Sequence, residues 1–290
     1  DNTKSKAYSL LHNVSDGKNL ADVTNIDLTK LEDFDLLTYS PPCQAFSVAG
    51  LKKGLNDIRG TLFYNALEVI QSKQPKYCVM ENVDHLPNKF TDEFNEMLRQ
   101  LDLAGYNNYW KIINAKDFIP QNRNRVYIVS IRKDIDDFTF KFPTGNDTTY
   151  WYDYINPYDT RQLTSRQSRM IEFVKGNNTN DEIKIEGEVQ FDDAVITLRQ
   201  SGLRFQNNRE YPTITAYYGK GGGNFTIMAY KQNIGGITPR NCFKLMGFDY
   251  EDSDLLTNNG FSVSSQYIMA GDSVCVPVLE GIFKNLLKLS

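Results

Sequence analysis

Histidine is nearly absent. The chain of 290 residues holds two, His12 and His85, and neither has a companion at metal or triad spacing. Ser-His-Asp hydrolysis and zinc deamination therefore lack their parts, and the deaminase signature H-x-E with P-C-x-x-C is missing too. Cysteine is almost as sparse. Cys43, Cys78, Cys242 and Cys275 stand far apart without C-x-x-C spacing, which removes a zinc site and a disulfide framework and implies free thiols in a reducing cytoplasm. No run approaches the ~20 apolar residues of a membrane span, and the polar start Asp1-Asn2-Thr3-Lys4 holds no signal core, so a soluble cytoplasmic protein without membrane contact is expected. A net positive charge is lacking as well: the formal charge is -4, which on average argues against phosphate binding. The average hides clustering, because Arg161, Arg166, Arg169, Arg199, Arg204 and Arg209 fall in one segment while the acidic residues are spread. Repeats and low-complexity tracts are absent.

What remains is an ordinary globular composition, 40% hydrophobic, with enough apolar residues for a sizeable core. Up to about Pro143, short apolar runs alternate with longer amphipathic ones, the signature of an α/β sheet with crossover helices. Strands are expected over Phe34 to Tyr39, Tyr77 to Glu81, Tyr109 to Asn114 and Arg125 to Ile131. Helices are expected over Leu62 to Gln71 and Phe90 to Leu103, where Phe94, Met97, Leu98 and Leu101 share a face. The crossover lengths predict parallel order. From Thr144 to about Gly236 the composition shifts to Asn, Asp, Thr, Gly and Tyr, with turn clusters at Gly176-Asn177-Asn178 and Lys220-Gly221-Gly222-Gly223-Asn224, which predicts a smaller, loop-rich domain with short strands. Thr238-Pro239-Arg240 then opens a capped helix that closes near Gly247, and an amphipathic helix is expected from Ser273 to Leu289.

Three strand boundaries deliver reactive groups. Asp35-Leu36-Leu37-Thr38-Tyr39-Ser40-Pro41-Pro42-Cys43-Gln44 is a buried-strand pattern that stops at two prolines and presents a thiol. Tyr77-Cys78-Val79-Met80-Glu81-Asn82-Val83 ends in a carboxylate. Gln121-Asn122-Arg123-Asn124-Arg125 leads into a strand with two arginines at period two, which predicts that Arg123 and Arg125 share a face. Alone, each has a bland reading: a buried structural thiol, a surface or capping glutamate, a surface ion pair. Together they resemble the catalytic motifs of the cytosine-5 DNA methyltransferases. The chemistry of that family suits these groups, because carbon 5 of cytosine is a poor nucleophile until a thiolate adds to carbon 6, and only a thiolate both attacks and leaves readily. Addition also requires a proton or hydrogen bond at ring nitrogen 3, which a carboxylic acid provides.

The resemblance runs from about Asp1 to the C-terminus, interrupted by the variable segment. It implies Cys43 as nucleophile, Glu81 as the group at ring nitrogen 3, and Arg123 and Arg125 at the base carbonyl or a neighbouring phosphate. Gln44, Ser47 and Gly50 would belong to the loop that closes over DNA, and Asn82, Thr213 and Arg240 to the DNA-facing set. S-adenosylmethionine is the implied cofactor, with Asp22 and Val23 at the adenine, Pro42 and Leu62 lining adenine and ribose, and Asp272 and Ser273 near the methionine carboxylate; Asp272 stands where the family has Asn. The implied fold is a Rossmann-like S-adenosylmethionine-dependent sheet over 1–144, a smaller, loop-rich DNA-recognition domain over 145–236, and a recognition-domain helix with the return of the chain to the catalytic domain over 237–290. Candidates for reading bases are Arg199, Gln200, Arg204, Gln206 and Asn207. The family's opening F-x-G-x-G turn, through which backbone amides approach the cofactor, has no counterpart here. Either the chain is a fragment or a separate polypeptide supplies the first strand and helix, and alone it is expected to bind the cofactor weakly. The expected substrate is double-stranded DNA, bound by a monomer in a bacterial or phage setting. A tRNA methyltransferase of the same chemistry and a silent DNA-binding subunit are the rival readings.

Overall fold

A computed structural model describes residues 2–12, 20, 22–42, 61–176, 184–199, 202–206, 208–220 and 225–288. Its residues cluster into two compact units. One is formed by 16–114, 124–143 and 281–290, the other by 1–15, 115–123 and 144–280.

The first unit is built on a four-stranded sheet of β1 (Leu36–Tyr39), β2 (Tyr77–Val83), β3 (Tyr106–Asn114) and β4 (Asn124–Arg132), in the order β1-β2-β4-β3. β1 and β2 are parallel, joined through the helix Thr61–Lys73. β3 runs the same way as β2, since both are antiparallel to β4. The parallel expectation therefore holds for the first three strands and fails for β4. The link 115–123 is shorter than the roughly dozen residues a parallel crossover needs, so β4 can only return antiparallel, between β2 and β3.

Alternation along β2 sorts its side chains. Cys78 and Met80 join Phe63, Leu67 and Ile70 of the helix Thr61–Lys73, Phe94, Met97 and Leu101 of the helix Thr91–Leu103, and Val126 and Ile128 of β4 in one buried cluster. Val79, Glu81 and Val83 point to the opposite face. β4 is buried on both faces from Val126 to Ile131, as a central strand should be.

The second unit carries a sheet of six strands, β5 (Thr160–Arg161), β6 (Lys184–Glu186), β7 (Ala194–Arg199), β8 (Gly202–Gln206), β9 (Thr226–Tyr230) and β10 (Asn233–Ile237), in the order β5-β10-β9-β7-β8-β6. The strands are short, as expected, and they join in one sheet. Its core gathers Ile196, Phe205, Ile227 and Met228 from the sheet with Trp151, Phe243, Leu256 and Tyr267 from the helices.

The helix Pro239–Leu245 is capped as the sequence predicts, with the Thr238 hydroxyl accepting from the Asn241 amide and Pro at the first turn. Gly247 follows with φ +90°, and a Cβ there would run into Pro277. Three further helices, Tyr250–Asn258, Val263–Asp272 and Val276–Leu286, complete the order. Among the described residues no helix is long and apolar enough to cross a membrane.

Cys78, Cys242 and Cys275 are free and buried. Burial raises the Cys78 thiol from an ordinary 9.0 to about 12. Below pH 9 that thiol is protonated in both the folded and the unfolded chain. Between there and about pH 12 the unfolded chain loses its proton while the folded chain keeps it, so stability falls as pH rises through this window. Thermal unfolding followed by circular dichroism is expected to show a midpoint that drops above pH 9, less steeply in Cys78→Ala. Parallel slopes would mean that the thiol does not carry the effect.

Candidate active site and its supporting clamp

Strand register places the acid. Val83 on β2 lies opposite Arg125 on β4, and Glu81, two residues back on the same face, is its diagonal neighbour. The Arg125 Nε stands 2.9 Å from Glu81 Oε1, with the two side chains 18% and 11% exposed. Arg125 Nη1 donates to the Asn124 carbonyl at 2.7 Å. The other carboxylate oxygen, Oε2, accepts from the Ser40 hydroxyl at 2.8 Å. Sequence reasoning gave Ser40 no role; its signal was its place as the last hydroxyl before two prolines.

Asn82 is turned inward. It is 4% exposed, its Nδ2 donates to the Pro41 carbonyl at 2.9 Å and its Oδ1 accepts from the Val83 amide at 2.8 Å. It holds the exit of β1 instead of facing solvent, where the resemblance had put it. Pro41 is buried and Pro42 exposed. Cys43, Gln44, Ser47 and Gly50 lie outside the described residues, as do Gln200 and Asn207.

In the same unit, Asp22 caps a short turn, Val23–Asn25. Its Oδ1 accepts from the Thr24 amide at 2.9 Å and the Thr24 hydroxyl at 2.8 Å, and these bonds hold its carboxyl below the usual range. The turn packs against the helix Thr61–Lys73, on which Leu62 is half-buried. An ionised, solvent-facing carboxylate on this turn is an acceptor that fits the amino group of a purine.

Arg123 and Arg125 do not form a pair. Period two holds only inside a strand, and β4 begins at Asn124. Arg123 is 3% exposed and lies in the six-stranded unit. Its Nη1 donates to the Ile214 carbonyl at 2.8 Å, and its Nη2 to those of Gly271 at 3.1 Å and Ser273 at 2.8 Å. The latter two carbonyls end the helix Val263–Asp272, so the guanidinium caps a helix C-terminus, where a cation is favoured. Gln121 does the same for its neighbour: Nε2 donates to the Leu245 carbonyl, at the end of the helix Pro239–Leu245. Its Oε1 accepts from the Ile214 amide at 3.3 Å. Gly271 is required here, because a Cβ would collide with the backbone of Thr215 and Ala216.

The other expected contacts in this unit are varied. The Thr213 hydroxyl donates to the Asn122 carbonyl at 2.5 Å. Asp272 is ion-paired with Lys4 at 2.6 Å, and the Ser273 hydroxyl donates to the Ala270 carbonyl at 2.7 Å. Arg240 is held by both oxygens of Asp254, at 2.9 and 3.2 Å, and lies 4.0 Å from the centre of the Tyr250 ring. Arg204 is exposed on β8, while the Gln206 side chain accepts from Thr197. Arg199 ends β7. Of the clustered arginines, Arg161 sits over Phe225 at 4.2 Å and Arg209 pairs with Asp147 at 2.8 Å. Those two serve the fold, which the charge count could not reveal.

Two outcomes test this division. Arg123→Lys keeps the charge but loses the fork, leaving buried carbonyls unpaired, and should destabilise the protein by about 2–4 kcal/mol in denaturant melts. Arg125→Lys should cost roughly 1 kcal/mol or less. Equal losses would contradict the assignment of a supporting clamp to Arg123 alone. In native protein at pH 7.5, thiol alkylation read by peptide mass spectrometry should spare Cys78, Cys242 and Cys275, whose burial pushes their thiols up, those of Cys78 and Cys275 to about 12.

The comparisons with known proteins agree with one another. Residues 1–288 match the family model of the C-5 cytosine-specific DNA methylases. The chain is 33% identical over 279 residues to the type II methyltransferase M2.ScrFI of Lactococcus lactis subsp. cremoris, covering 93% of this chain and 71% of that one. It is 32% identical over 290 residues to M.Bsp6I of a Bacillus species, covering 98% and 89%, and 30% identical over 395 residues to the orphan methyltransferase M.SPRI of Bacillus phage SPR, covering 97% and 89%. Among solved structures, the fold resembles the Entamoeba histolytica methyltransferase EhMeth with a TM-score of 0.66 at 21% identity, over 99% of this chain and 88% of that one. The S. pombe Dnmt2 methyltransferase gives 0.64 at 22% identity, over 99% and 89%. With its sequence matched almost end to end, the chain belongs to the C-5 cytosine-specific DNA methylases, a family of methyl-transferring enzymes that act on DNA and use S-adenosylmethionine.

Proposed function

We propose that this chain flips a cytosine out of duplex DNA and methylates carbon 5, with Cys43 as nucleophile. The observation that carries the reading is the fixed carboxylate of Glu81, held at both oxygens beside the segment that leads through Pro41-Pro42 into Cys43. The thiolate sulfur adds to carbon 6 of the ring, and the electron pair of the 5,6 double bond becomes available at carbon 5. Glu81, in its protonated form, donates a hydrogen bond to ring nitrogen 3 and stabilises the negative charge that develops there. Arg125 takes the base carbonyl. S-adenosylmethionine, when bound, supplies the methyl group, and Asp22, Val23, Pro42 and Leu62 would hold it. Loss of the carbon-5 proton to solvent then re-forms the 5,6 double bond and expels the Cys43 sulfur. Arg123, bonded to backbone carbonyls, takes no part in the chemistry.

Flipping costs a few kcal/mol, which contacts to DNA must offset. Residues 145–236 are the proposed recognition domain, with 1–144 carrying the chemistry and 237–290 holding a recognition-domain helix and the return of the chain to the catalytic domain. Arg204 on β8 is an exposed candidate for a base edge or phosphate, together with Arg199 and Thr213. A monomer on double-stranded DNA suffices for this scheme.

Mechanism-based trapping tests it. Protein, S-adenosylmethionine and a mixed pool of duplex DNA containing 5-fluorocytosine are expected to give a covalent adduct on a denaturing gel, absent in Cys43→Ser. A matched pool of tRNA should give none. An adduct with tRNA alone, or one that persists in the mutant, would overturn the assignment.

A further inference from the structure

Ser40 has no part in the chemistry described so far, yet its geometry ties it to Glu81. Backbone pairing of β1 with β2 ends at Tyr39 opposite Met80. Beyond that point the chain reads Pro41-Pro42, and proline has no amide hydrogen, so the ladder cannot be extended. Two side-chain bonds continue the register instead. Ser40 donates to Glu81, and Asn82 donates to the Pro41 carbonyl. The two differ in kind. The Asn82 bond is buried and ends on backbone, so it serves the path of the chain. The Ser40 bond is on the exposed side and ends on the one ionisable group of the strand terminus, where a hydrogen bond adds little to folding.

The consequence falls on the aim of the carboxyl group. The last torsion of a glutamate joins tetrahedral to planar carbon and is broad, so one contact alone leaves the plane free to turn. Arg125 at Oε1 is one contact and Ser40 at Oε2 is the second. Two fixed oxygens define the plane. Ser40 also lies on the Glu81 face by strand alternation, since its neighbour Tyr39 packs with Met80 in the helix-side cluster.

We propose that Ser40 is a positioning residue that sets the carboxyl plane of Glu81 for its hydrogen bond to ring nitrogen 3 of the target cytosine. This rests on the role given to Glu81 above. The test is single-turnover adduct formation on 5-fluorocytosine duplex DNA by the full-length protein, with DNA affinity measured separately. Ser40→Ala should slow the adduct by roughly tenfold or more while DNA affinity stays within about twofold. Ser40→Thr, which keeps the hydroxyl, should restore most of the rate. In a Glu81→Gln background, Ser40→Ala should change the remaining rate by less than about twofold, because the group it orients is gone. A wild-type rate in Ser40→Ala, an equal loss in both backgrounds, or a loss confined to DNA affinity would each overturn the proposal. A wild-type rate of adduct formation in Glu81→Gln itself would overturn the role of Glu81, and this inference with it.

Discussion

A buried guanidinium has to find acceptors, and Arg123 finds them at the carbonyls of Ile214, Gly271 and Ser273. Left in a dry interior without them, the charge would cost several kcal/mol. The arrangement works in both directions. The end of the helix Val263–Asp272 has orphaned carbonyls that need donors, and Arg123 needs carbonyls. Gln121 repeats the pattern at the end of the helix Pro239–Leu245, and together the two side chains take both the amide and the carbonyl of Ile214. A segment of irregular backbone is thereby held almost as a strand would be, with side chains replacing the missing ladder. The close approach of Gly271 to Thr215 and Ala216 follows from the same arrangement.

How far this was legible depends on the rule each residue obeys. Glu81 was readable because it closes an apolar run of period two, and such a run fixes both its strand and its face. The capped helix after Thr238 was readable because Thr, Pro and Gly each act through local backbone geometry. The sharing of one face by Arg123 and Arg125 was misread, since period two stops at the strand boundary and nothing local marks where β4 begins. Asn82 was misread for a related reason: its inward direction follows from alternation, but its polarity suggests the opposite. Ser40 went unnoticed because its partner is distant in sequence, and only the register of β1 on β2 brings the two together. The six-stranded sheet was hidden by strands too short to show a period.

The acidic balance of the chain conceals how its cations are distributed. Arg161, Arg209 and Arg240 are engaged by a ring or by carboxylates within the fold, whereas Arg166, Arg169 and Arg204 are exposed and have no acidic partner among the described residues. A phosphate backbone is sensed through cations of the second kind. Net charge adds both kinds together with every distant carboxylate, so -4 says little about any one surface.

The reversed strand at the middle of the four-stranded sheet has a consequence for the order in which the protein assembles. β2 emerges early in synthesis and waits with one long side unpaired until β4, its eventual neighbour, has been made. β3 cannot fill that place, because it pairs only with β4. An open, apolar edge is an invitation to wrong partners, so a nascent chain stalled between residues 83 and 124 would be the form most prone to aggregate. Because Arg125 lies in the strand that closes this gap, the contact that fixes Glu81 forms only when the sheet is complete. A half-folded chain would leave Glu81 without that contact.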